Sequence, residues 1–149
     1  MNYSFKLSPV LDELILRGDD PTGHGYYGAK RGKRKHKGVD ILAQPGEVIY
    51  APIDGEVTKH GQVYNSSITD KFKYIEITGP IYKTRILYCG PDIEVGMRVH
   101  RCQPIGIVQD IASFWGGNMK PHIHLEVYKH GLITDPEPLL TDYTIFSYI

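Results

Sequence analysis

Pro121-His122-Ile123-His124-Leu125-Glu126-Val127 alternates polar and apolar side chains without a break. A period of two is the period of a β-strand, so Ile123, Leu125 and Val127 face one way and His122, His124 and Glu126 the other. Two imidazoles two residues apart on a strand stand side by side, close enough to converge on one atom. Upstream, His36-Lys37-Gly38-Val39-Asp40 repeats the theme with an even spacing of four, its carboxylate lying where the chain enters a strand.

Between these two segments the punctuation is regular. Val39-Asp40-Ile41-Leu42, Val48-Ile49-Tyr50-Ala51 and Gly55-Glu56-Val57-Thr58 are short strand candidates parted by Gln44-Pro45-Gly46 and Pro52-Ile53-Asp54-Gly55. Lys73–Thr78 and Thr84–Tyr88 alternate well enough for a hairpin across Gly79-Pro80. Ile93–Val99 forms a turn-bearing pair and Ile105–Val108 another strand. Strands about every ten residues with turns between them predict an all-β domain. Sixteen Gly, ten Pro and eleven Tyr among 149 residues agree with many short strands and turns, and this length fits one domain. Val10–Leu16 reads equally as a short helix or a strand. Gly18–Gly38 is a long glycine-rich loop, and loops of that length usually carry function.

Several classes are excluded. No apolar run approaches the ~20 residues of a membrane span, so no membrane partner is expected. Residues 1–16 have Lys6 alone as a basic group, carry Asp12 and Glu13 inside the apolar stretch and lack a small-residue cleavage site, which is not a secretory signal. Cys89 and Cys102 are too few for a disulfide scaffold or a thiolate zinc site and are expected to be free thiols. Seven of the eight residues Lys30–Lys37 are basic or can be. The whole chain nevertheless balances 17 acidic against 17 basic side chains, which favours a solvated loop over a nucleic-acid patch.

Imidazole nitrogens and a carboxylate oxygen are good zinc ligands, and three protein ligands with one open position is the arrangement of catalytic zinc. A lone histidine is usually a surface or satisfied core residue, so the metal reading rests on the two motifs together. His24, His100 and His130 sit by glycines or polar turns and read as solvated. Trp115 reads equally as a core residue or a groove wall.

The order His36-Lys37-Gly38-Val39-Asp40-Ile41, then Pro45-Gly46-Glu47-Val48-Ile49-Tyr50-Ala51-Pro52-Ile53-Asp54-Gly55-Glu56-Val57, then Pro121–Val127, resembles the M23 family of lysostaphin- and LytM-like zinc metallopeptidases. The match covers about Gly23 to Leu139. The resemblance implies a single antiparallel β-sheet domain with long loops forming a groove. It divides the chain into an N-terminal extension (1–22) packed on the domain, the peptidase-like domain (23–140) and a C-terminal tail (141–149). It also implies Zn2+ held by His36, Asp40 and His124, with His122 catalytic. Active members carry one more catalytic histidine in a Tyr-x-His-Leu segment. Here that stretch is Ile86-Leu87-Tyr88-Cys89-Gly90-Pro91, which places Gly90 at the histidine position. The leukocyte cell-derived chemotaxin 2 branch shows the same loss and is similar around residues 23–40.

The expected function is a zinc-dependent endopeptidase cutting peptide cross-links of bacterial peptidoglycan, with Tyr88, Gly90 and His60 as candidate groove residues. The missing leader favours a phage-encoded enzyme carried in a virion or tail, or released to the cell wall, where other tail proteins would be partners. The alternative is a catalytically silent zinc-binding module of the same fold, serving binding or assembly, for which Gly90 speaks.

Overall fold

The computed structural model describes residues 6–31, 34–67, 71–140 and 146–148. Residues 1–5 of the expected extension, Gly32 and Lys33 of the basic run, residues 68–70 and most of the 141–149 tail lie outside the described residues.

The protein is mostly β, as the alternation and turn spacing imply. Its main sheet runs, strand beside strand, Arg98–Val99, Gly55–Gln62, Lys73–Thr78, Tyr82–Leu87, His122–Lys129, Val39–Leu42, Leu14–Leu16 and Phe146–Tyr148, with Leu132–Thr134 also paired to His122–Lys129. Pairing is antiparallel except between Leu14–Leu16 and Phe146–Tyr148. A smaller antiparallel sheet joins Cys89–Pro91, Pro104–Val108 and Val48–Tyr50. The strand Leu14–Leu16 resolves the open reading of the N-terminal segment, and Leu7, Val10 and Leu11 before it are buried in the core. The long Gly18–Gly38 loop contains two small ladders, Asp19–Asp20 with Gly23–His24 and Lys30–Arg31 with Arg34–Lys35. One short helix was not foreseen, Ile111–Trp115, whose first turn is capped by Asp110 Oδ1 accepting from the Ser113 N–H at 3.1 Å.

The register sorts the two faces of the main sheet. Ile123 lies opposite Ile41, and Leu125, Ile86 and Ile75 form one cross-strand row. Val127, Thr84, Ile77 and Val57 form the next. These side chains are essentially inaccessible to solvent, and each fully buried aliphatic one contributes about 1.5–3 kcal/mol. The opposite face carries His124 beside Asp40 and Leu87, and Glu126 beside Arg85 and then Glu76. One sheet thus separates an apolar core from a polar, chemistry-bearing face. Both cysteines are free, Cys89 buried and Cys102 exposed.

The Thr84 hydroxyl is the exception in the apolar rows, having no hydrogen-bond partner among the described residues. An unpaired buried hydroxyl costs about 1–3 kcal/mol. Thr84→Val should therefore raise the thermal midpoint; a fall would reveal a polar partner for Thr84 in the folded protein.

Candidate metal centre and its aromatic wall

Antiparallel pairing of Val39–Leu42 with His122–Lys129 sets Asp40 directly across from His124. His36 arrives from the turn before that strand, its N–H donating to Ala29 O at 2.7 Å and its carbonyl accepting from Gly28 at 2.9 Å. The chain passes so close to the neighbouring strand at Gly38 that a Cβ there would lie 2.1 Å from the Leu125 carbonyl oxygen. Glycine is the residue this crossing needs.

The result is a triangle of potential ligand atoms. His36 Nε2 lies 2.9 Å from His124 Nδ1, Asp40 Oδ1 lies 3.0 Å from His124 Nδ1, and 3.2 Å from His36 Nε2. All three residues are buried. The outer ring nitrogens set the tautomers. His36 Nδ1 is 2.9 Å from the Tyr26 carbonyl, which can only accept, so this nitrogen carries the proton and Nε2 is bare. His124 Nε2 donates to Glu126 Oε2 at 2.9 Å, which leaves Nδ1 facing the triangle. Carbonyl and carboxylate partners behind metal-binding imidazoles serve this purpose. Two imidazole lone pairs and a carboxylate oxygen thus meet at about 3 Å, an arrangement that calls for a positive charge at its centre. The donor set and tautomers fit zinc.

The titrating groups respond accordingly. Burial alone would raise the Asp40 carboxyl, but its close contacts with His124 and His36 and the charge of the nearby imidazoles hold it well below the usual range. Burial would lower His124, yet Asp40 and Glu126 on either side push it up to about 9. Without a metal, a proton on His124 supplies the missing positive charge. Metal uptake must then expel that proton. His122 is neutral, its pKa lowered chiefly by burial. Its Nδ1–H donates to the Lys120 carbonyl at 2.7 Å, and its bare Nε2 stands 3.7 Å from Asp40 Oδ2.

Arg17 is the residue the sequence reading missed. Its Nη1 donates to Asp40 Oδ2 at 2.7 Å, while Nε and Nη2 grip Asp20 at 2.8 and 2.9 Å. The side chain is only 4% exposed. Asp40 therefore turns one oxygen to the triangle and the other to a buried guanidinium. No local spacing in Leu16-Arg17-Gly18-Asp19-Asp20 announces this role, because the partner lies 23 residues away.

A cavity of about 230 Å³ opens over the triangle, lined by Arg17, Thr22, His36, Asp40, Leu87, Tyr88, Met119, His122 and His124. Of the candidate groove residues, the structure brings only Tyr88 to it. Its ring stands edge-on to His122, 5.7 Å between centroids. Burial and the Tyr64 hydroxyl keep its phenol protonated far above neutral pH. Gly90 lies one step into the smaller sheet, opposite Ile107, where a Cβ would meet the Ile107 carbonyl at 3.6 Å. His60 pairs with Ile75 because the register shifts between Val57 and Lys59. Its Nε2–H donates to Ile93 O at 2.7 Å, away from the triangle. Trp115 is half-exposed and forms a wall with Tyr64, Phe72, Phe114 and Tyr88. His24, His100 and His130 are exposed.

The family model of peptidase family M23 matches residues 34–136, which include the triangle and most of the sheet. The chain belongs to peptidase family M23. It is 29% identical to mouse leukocyte cell-derived chemotaxin-2 over 113 residues, covering 74% of this chain and 72% of that protein. Its fold is similar to that of lysostaphin, the antimicrobial peptidase of Staphylococcus simulans (TM-score 0.62, 22% identity, 81% of this chain), of which it spans half the length. It is also similar to a zinc containing peptidase of Vibrio cholerae (TM-score 0.58, 21% identity, 87% of this chain and 40% of that one).

Glu126→Gln keeps the shape behind His124 but removes the carboxylate that holds its proton. Metal affinity should fall about 10–100-fold, read by competition with a chromogenic chelator. An unchanged affinity would contradict the role given to Glu126.

Proposed function

We propose that this M23 domain is a zinc-dependent endopeptidase acting on the peptide cross-links of bacterial peptidoglycan. The observation that carries the reading is the bare Nε2 of His122 beside the His36–Asp40–His124 triangle, at the floor of an open cavity. Zinc bound there would supply a Lewis acid and a water of pKa near ~7.

The chain's own residues do the rest. His36, Asp40 and His124 would hold the ion. His122 takes the proton of the attacking water at Nε2, since the Lys120 carbonyl fixes its other nitrogen as the donor. Asp40 Oδ2, 3.7 Å away, stabilises the imidazolium that forms. Arg17 keeps that oxygen from swinging into the triangle. Directly after Trp115 of the aromatic wall, Gly116 and Gly117 carry no side chains, which suits a thin peptide. A virion or tail setting, expected from the sequence, belongs to the same proposal.

A second reading is a silent zinc module. What favours it is Gly90, which stands at the histidine position of the resemblance and brings no second imidazole to the cavity.

Purified peptidoglycan digested with zinc-loaded protein, with and without chelator, separates the two. His122→Ala should retain zinc and lose about 10²–10⁴-fold in rate. Full zinc occupancy with no cleavage of any peptidoglycan chemotype would favour the silent module.

A further inference from the structure

Tyr88 has a backbone that most tyrosines avoid. Its φ is 69°, in the left-handed region that a bulky side chain rarely adopts. It sits where the chain leaves one sheet at Leu87 and enters the other at Cys89. Leu87 already faces the triangle, so a regular strand would send Tyr88 to the opposite side. The left-handed turn brings it back over the cavity. Backbone bonds on both sides hold the turn, Tyr88 N–H to Lys73 O and Gln109 N–H to Tyr88 O, each 2.9 Å.

The hydroxyl is also directed. Trp115 Nε1–H donates to Tyr64 Oη at 3.2 Å, and Tyr64 Oη lies 3.0 Å from Tyr88 Oη. Either hydroxyl of this pair can donate; in one arrangement Tyr64 accepts from the indole and turns its own proton to Tyr88. The Tyr88 proton is then available to a group in the cavity.

We propose that the Tyr88 hydroxyl is a catalytic hydrogen-bond donor to the scissile carbonyl oxygen, doing the work of the absent Tyr-x-His-Leu imidazole. The inference rests on the peptidase reading above. As water oxygen bonds to the carbonyl carbon, the C=O pair moves onto oxygen, and this oxyanion accepts the Tyr88 hydrogen bond. The water proton goes to His122 and from there to the leaving nitrogen as the C–N bond breaks. Tyr88 keeps its proton throughout. Preorganised donors of this kind act on charge that develops only in the transition state.

The test compares zinc-loaded wild type with Tyr88→Phe, which keeps the ring against His122. On a soluble cross-linked muropeptide, kcat should fall about 10²–10³-fold with KM little changed. A glycyl-glycine phosphinate, which mimics the tetrahedral oxyanion, should bind Tyr88→Phe at least about tenfold more weakly, while planar glycylglycine binds both alike. Tyr64→Phe, which leaves Tyr88 in place, should weaken the phosphinate in the same direction. If wild type cleaves nothing, the peptidase reading fails, and the phosphinate measurement still decides the role of Tyr88. Unchanged phosphinate affinity in Tyr88→Phe overturns the proposal whatever the rates do.

Discussion

Three lone pairs that point at one another need a positive charge between them. His36 Nε2, His124 Nδ1 and Asp40 Oδ1 stand about 3 Å apart, and the groups behind them fix that direction. The Tyr26 carbonyl accepts from the far nitrogen of His36, Glu126 from the far nitrogen of His124, and Arg17 occupies the second oxygen of Asp40. Buried as they are, these groups cannot use water to relieve the repulsion. A proton on His124 does so in part. A divalent cation does so for all three at once, which ties the order of the whole cavity floor to metal occupancy.

The sheet makes this possible by dividing labour between its faces. Rows such as Leu125–Ile86–Ile75 hold the strands together from below. The same register presents His124, Glu126, Arg85 and Glu76 above, where Arg85 Nε meets Glu76 Oε2 at 2.7 Å between the rings of Tyr74 and Tyr128. A slip of one residue would exchange the faces and destroy both core and site. The strong apolar alternation around the two histidines is therefore as much a functional feature as a structural one.

Much of this was legible in the sequence, for a physical reason. Strand alternation is local, so the sides taken by His122, His124 and Ile123 follow from their spacing alone; the even spacing of His36 and Asp40 marked a second motif, and the resemblance joined the two into one site. Three features were not legible because they depend on departures from regular strand geometry or on distant packing. The resemblance puts position 90 at the site. The left-handed backbone at Tyr88 instead hands that place to the tyrosine and sends Gly90 to the second sheet. A register shift before Lys59 pairs His60 with Ile75 and leaves it exposed, away from the triangle. Arg17 finds Asp40 only after Leu14–Leu16 docks on Val39–Leu42, and no motif spans that distance.

The central claim is that a zinc ion joins His36, Asp40 and His124. X-ray absorption at the zinc edge of the purified full chain tests it most directly. The account predicts one zinc per chain with a first shell of nitrogen and oxygen at about 2.0–2.2 Å and imidazole outer-shell scattering. A sulfur shell at about 2.3 Å, or a zinc signal that persists unchanged in His124→Ala, would contradict it.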